Sequence, residues 1–168
     1  MNENKTLIYG IGNEILSDDA IGPKLTWHLE KDLNLPNIKY ETAFVGGLEV
    51  LEIINGYNTV VFIDGIKTKN GIPGDVYYFT TEDFKETLNL SNLHDTDFLT
   101  AIELGKQIGF KIPPNIHIIA IEIVEDEVFG DDYSPEIQKR YAEFYKEIRE
   151  FVVSVSKGKK VGIVKRRD

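Results

Sequence analysis

The chain of 168 residues has no cysteine, one methionine, one tryptophan and three histidines. Without cysteine there is no disulfide framework, no thiolate zinc site and no cysteine nucleophile. Metal ligation, if any, falls to carboxylates and to the imidazoles of His28, His94 and His117. Basic residues are also sparse: 19 Lys and Arg against 28 Asp and Glu leave a net charge of −9, the wrong sign for a nucleic-acid surface. The one basic cluster, Lys159, Lys160, Lys165, Arg166 and Arg167, falls in 158–168 and reads as a solvated tail behind a domain spanning 1–157. No apolar run approaches the roughly 20 residues of a membrane helix. The opening MNENKTLIYG has no basic segment ahead of a cleavable apolar stretch. A cytoplasmic, monomeric protein without membrane contact is expected.

What is present is an alternation of strand and helix signals. Residues 6–9 read as a buried strand running into Gly10-Ile11-Gly12-Asn13. A helix is expected over 18–33, with Ile21, Leu25, Leu29 and Leu33 at helical spacing and Ser17 or Asp18 as its cap. A second strand lies near 38–44. Gly46-Gly47 then turns into a short helix with Leu48, Leu51 and Ile54 as its apolar positions. Val60-Val61-Phe62-Ile63 has the continuous apolarity of a central parallel strand. Pro73-Gly74 opens an edge strand over 76–79, and 98–108 looks helical. Residues 116–123 form the last buried strand, and 134–153 a long helix with Ser134 as cap and Pro135 at its first position. The fold class is therefore α/β: a single-domain three-layer sandwich, its twisted and mostly parallel sheet of about five strands covered by helices on both faces.

In such sheets ligands bind beyond the carboxyl ends of the strands. The loop holding Asp18 and Asp19 follows the first strand, and Asp64 follows the apolar run at 60–63, so both acids belong to one edge. Gly10-Ile11-Gly12 begins like a dinucleotide fingerprint, but Ile15 stands where the third glycine should be. Two acids at the helix start would also repel a pyrophosphate. One of Asp18 and Asp19 reads as a capping residue; Asp64-Gly65, taken alone, reads equally as a turn. His94 lies in a polar stretch before a helix, a loop position from which ligands project. His28 falls inside the first helix and His117 inside a strand, and both read as structural. An Asp/Asp/His set leaves open coordination positions and suits borderline metals such as nickel or zinc.

The segment Gly10-Ile-Gly-Asn-Glu-Ile-Leu-Ser-Asp-Asp-Ala-Ile-Gly22 resembles the opening motif of the hydrogenase maturation endopeptidases, G-x-G-N, four residues, D-[DE]-x-x-G. The resemblance continues through Gly47-Leu-Glu-Val-Leu51, Val61-Phe-Ile-Asp64, Pro73-Gly74, His94 and Ser134-Pro-Glu136. Thr42-Ala43-Phe44-Val45 departs from the D-G-G-[ST] common in the family, and Asp97 stands where some members have glycine. The resemblance implies an endopeptidase that removes the C-terminal extension of a nickel–iron hydrogenase large-subunit precursor. It also implies metal-site and catalytic roles for Asp19, Asp64 and His94. With no thiolate of its own, the chain is expected to meet nickel supplied by the precursor rather than to hold it. A nucleotide-binding module and a non-catalytic, metal-sensing chaperone of the precursor stand as the alternatives.

Overall fold

A computed structural model describes residues 4–44, 48–86 and 93–161, apart from the side chains of 84–86 and 93–98. The Gly46-Gly47 turn and most of the basic tail lie outside that range. The elements run β1 (Thr6–Ile11), α1 (Ile21–Leu33), β2 (Ile38–Ala43), α2 (Glu49–Ile54), β3 (Thr59–Ile66), β4 (Val76–Thr80), α3 (Thr81–Glu86), α4 (Leu93–Gln107), β5 (Asn115–Glu122) and α5 (Pro135–Ser156). The sheet order is β2-β1-β3-β5-β4. The first four of these are parallel, and β4 closes the edge antiparallel to β5.

Strand pleat explains the continuous apolar runs. Ile8, Val61, Ile63, Ile119 and Ile121 face one side and pack with Leu25 and Leu29 of α1 and Phe144, Ile148 and Val152 of α5. Leu7, Tyr9, Val60, Phe62 and Ile118 face the other and meet Leu51 and Ile54 of α2 and Leu99 and Ile102 of α4. Both faces are dry, so the two central strands need apolar side chains at successive positions. Each such fully buried aliphatic side chain contributes about 1.5–3 kcal/mol. The three-layer α/β sandwich is as expected.

Several local expectations shift. Helix α1 begins at Ile21 with Ala20 at its N-cap and no side-chain cap bond, because Asp18 is engaged elsewhere. Ser134 does occupy the N-cap position of α5 ahead of Pro135, and its carbonyl accepts from Gln138 N at 3.0 Å. Its hydroxyl, however, donates to Asp18 instead of capping the helix. Leu48 is 59% exposed; Val50, Leu51 and Ile54 are the residues α2 buries. Helix α3 was not expected, although Thr80 and Asp83 make a reciprocal cap, with Thr80 N donating to Asp83 Oδ2 and Asp83 N to Thr80 Oγ1.

Candidate active site at the carboxyl edge of the sheet

Three glycines let α1 nest against the strand ends. A Cβ on Gly10 would lie 2.4 Å from the Gly22 carbonyl oxygen. One on Gly12, whose φ is +149°, would lie 2.1 Å from the carbonyl of Asp19. One on Gly22 would meet the carbonyl oxygens of Ile11 at 2.2 Å and Ile63 at 2.5 Å. Gly22 is therefore wedged over the ends of β1 and β3 together. Asp19 lies three residues before it, and Asp64 directly follows Ile63.

Topology makes this edge a crevice. From β1 the chain passes through α1, on one face, to β2; from β3 it passes to β4 and α3 and then through α4, on the other face, to β5. The connections diverge between the adjacent strands β1 and β3, which is the switch point where α/β sheets open a binding crevice.

The two neighbouring acids have different environments. Asp18 is fully buried, and its carboxylate accepts from Ser134 N at 2.7 Å, Ser134 Oγ at 2.8 Å and Val124 N at 3.1 Å. It ties the loop after β1 to the loop after β5 and to the start of α5. Asp19 is half-buried and accepts from Asn13 N at 2.8 Å, while Asn13 Oδ1 accepts from Ile15 N and tightens the turn. Amides that a phosphate would need at this helix start are already bonded: Ala20 N to Leu16 O and Ile21 N to Asp18 O. That removes the anion cradle of a nucleotide site.

Asp64 is 8% exposed and belongs to β3 itself. The strand does not turn there, because Asp64, Gly65 and Ile66 continue the ladder with Ala120, Ile121 and Glu122. Its carboxylate accepts from Gly65 N at 2.8 Å. By alternation with Phe62 it faces the α2/α4 side. His94 is the second residue of α4, in a first helical turn rather than a loop. Because α4 leads into the amino end of β5, its own N-terminus lies toward the carboxyl edge, on the face that Asp64 occupies. The His94 side chain lies outside the described residues. Among the described residues no three of His, Cys, Asp and Glu form a metal-binding group.

The other histidines are structural. His28 stacks on Tyr145 at 3.8 Å between ring centres and hydrogen-bonds Tyr141 at 2.8 Å. His117 packs edge-on against Phe151, and burial lowers its pKa below the usual 6.5. A small cavity of about 270 Å³ opens between the ends of β1 and β2, lined by Gly12, Asn13, Glu14, Pro23 and residues 42–44; neither Asp19 nor Asp64 is on its wall.

A third buried acid, Glu122, escaped the sequence reading. Its carboxylate accepts from Thr68 N at 2.6 Å, Thr68 Oγ1 at 2.9 Å and the Tyr77 hydroxyl at 3.1 Å. Burial, then the Glu122 charge, pushes the Tyr77 phenol up to about 12, so it remains a donor near neutral pH. A Cβ on Gly71 would fall 2.0 Å from the Glu122 carboxyl carbon and would push that carboxylate off its present partners. Glu122 thus organises the loop that leaves β3. An acid set inside an otherwise apolar run, residues 118–124, was the available signal.

The model of the hydrogenase maturation protease family matches residues 23–150. The chain belongs to that family. Membership carries the chemical class, peptide-bond hydrolysis. Asp64 and His94 lie within the matched span, and the glycine motif with Asp19 lies just ahead of it. The hydrogenase 2 maturation protease of Escherichia coli K12 is 25% identical over 113 residues, which is 64% of this chain and 69% of that protein. The hydrogenase maturating endopeptidase HybD from E. coli superposes with a TM-score of 0.70 at 18% identity, covering 90% of this chain and 93% of that one. The [NiFe] hydrogenase maturation protease HybD from Thermococcus kodakarensis gives 0.68 at 23% identity, covering 90% and 99%. At these identities the structural likenesses show the shared fold.

Proposed function

We propose that this family member removes the C-terminal extension of a nickel-loaded [NiFe] hydrogenase large-subunit precursor. In this reading the precursor's own nickel is the recognition element. Asp19, Asp64 and His94 offer it two carboxylates and one imidazole, oxygen and nitrogen donors that suit a borderline cation. The observation that carries the reading is the wedge of Gly22 between Ile11 and Ile63, which sets the Asp19 loop beside the end of β3 that bears Asp64. Lacking cysteine, the chain has no thiolate with which to strip nickel from its substrate. The metal confirms that the precursor is loaded and orients the neighbouring peptide bond. A carboxylate of the triad within reach of the attacking water takes up its proton.

The test is incubation of purified protein with nickel-loaded and nickel-free precursor, followed by mass analysis of the large subunit. The loaded form loses its extension and the nickel-free form does not. Asp19→Ala, Asp64→Asn and His94→Ala each lower the cleavage rate by about 100-fold or more. Binding of the loaded precursor without any shortened product would instead identify a chaperone. Cleavage at wild-type rate by all three variants would remove the triad.

A further inference from the structure

Four large apolar side chains stand out beside the crevice: Ile15 and Val128, each 59% exposed, Val124 at 38% and Phe129 at 74%. Scattered exposed hydrophobic residues are ordinary. These are instead gathered on two loops laced into a narrow ribbon. Leu16 bridges Phe129 antiparallel, Ser17 N donates to Val128 O at 2.9 Å, and Gly130 N donates to Ile15 O at 3.2 Å. Ser17 Oγ adds a bond to Asp132 O at 2.7 Å.

The tip is held by Glu125, whose Oε2 accepts from Val128 N at 2.7 Å and Glu127 N at 3.1 Å. Burial alone would raise the Glu125 pKa, but these amides outweigh it and keep the group ionised. Asp18 then accepts from Val124 N and Ser134 N at the two ends of the same loop. Phe129 is thus presented to solvent on an ordered backbone, which lowers the ordering cost of binding. Residues 124–132 also contain Glu125, Asp126, Glu127, Asp131 and Asp132 and no basic residue. Lys67 pairs with Asp126 at 2.9 Å, leaving a net negative rim around the apolar tip.

We infer that Phe129 on one face of the ribbon and Ile15 and Val128 on the other form a docking point for the precursor, one that takes apolar side chains flanked by Lys or Arg and holds them outside the cleavage crevice. This rests on the proposed protease function and adds a second contact to it. The ribbon shares the loop of Asp19, so a partner bound there is tethered beside the acids and the local concentration of its scissile segment rises.

The experiment compares wild type with Phe129→Ser, Val128→Ser/Phe129→Ser and Glu127→Lys. Thermal unfolding serves as the fold control, since all three side chains are solvent-exposed. Binding of the nickel-loaded precursor and its steady-state cleavage are both measured. The apolar variants weaken binding and raise KM about tenfold or more while kcat stays near wild type. Glu127→Lys raises KM at low ionic strength, and added salt narrows the gap. An unchanged KM in an active enzyme overturns the docking point and leaves the protease reading intact. Loss of binding in Phe129→Ser, with no cleavage by any form, upholds the docking point and refutes the protease reading. If wild type neither binds nor cleaves, both fall. A wild-type dimer in sedimentation that Phe129→Ser dissolves would assign the surface to a second copy and overturn the proposal.

Discussion

Replacing Asp18 by alanine tests how the crevice is held together. The side chain is fully buried, and its removal leaves Ser134 N, Ser134 Oγ and Val124 N without their acceptor. A hydrogen bond to a charged partner contributes about 1.5–3 kcal/mol, and the two short bonds to Ser134 dominate here. Their loss, offset in part by water entering the gap, gives a destabilisation of about 3–5 kcal/mol. For a chain of this size that lowers Tm by about 6–20 °C. With a urea m-value of about 2 kcal/mol/M, the midpoint falls by roughly 1.5–2.5 M. Ser134→Ala removes only the hydroxyl bond and costs about 1–1.5 kcal/mol. The double variant then loses less than the sum of the singles, because both report one interaction. Urea unfolding followed by circular dichroism measures all four proteins. An unfolding free energy for Asp18→Ala within about 0.5 kcal/mol of wild type, or strict additivity with Ser134→Ala, would refute the claim that this carboxylate joins the two loops.

Two further outcomes follow from packing and burial. Gly22→Ala places a methyl group 2.2 Å from the Ile11 carbonyl and 2.5 Å from that of Ile63. Neither backbone can retreat without opening the sheet, so the cost is at least about 1–3 kcal/mol and precursor cleavage falls with it; a wild-type urea midpoint would contradict the wedge. For His117, burial lowers the folded-state pKa below the ordinary 6.5, so the unfolded chain takes up the proton first as pH falls. Stability is therefore full above about 6.5 and declines as pH drops through and below it, and His117→Phe flattens that part of the curve; an unchanged slope in the variant would locate the titration elsewhere.

Periodicity and composition carried the architecture a long way. Runs such as Val60-Val61-Phe62-Ile63 name a strand buried on both faces, and the helical spacing of Ile21, Leu25 and Leu29 names an amphipathic helix. Those are local signals, because burial on a given face dictates the side chain at each position. Boundaries were less legible. Asp64-Gly65 reads locally as a turn, yet pairing with Ala120 and Ile121 keeps it in the strand. Ser17 and Asp18 read as caps of α1, yet their side chains bond to residues more than a hundred positions away.

By itself the sequence determined that any metal chemistry here is oxygen and imidazole chemistry, since cysteine is absent. It also determined that two acidic groups belong to strand ends of an α/β sheet, and it carried the family motif. The tertiary structure decided which acid does what. Asp18 is consumed in joining three segments, whereas Asp19 stands at the β1–β3 switch point. Only the fold showed that Glu122 is a buried organiser of the loop after β3, and that Ile15 and Phe129 share one ribbon. The physical reason is common to all of these. A carboxylate's role depends on which donors reach it, and those donors come from parts of the chain that only folding brings near.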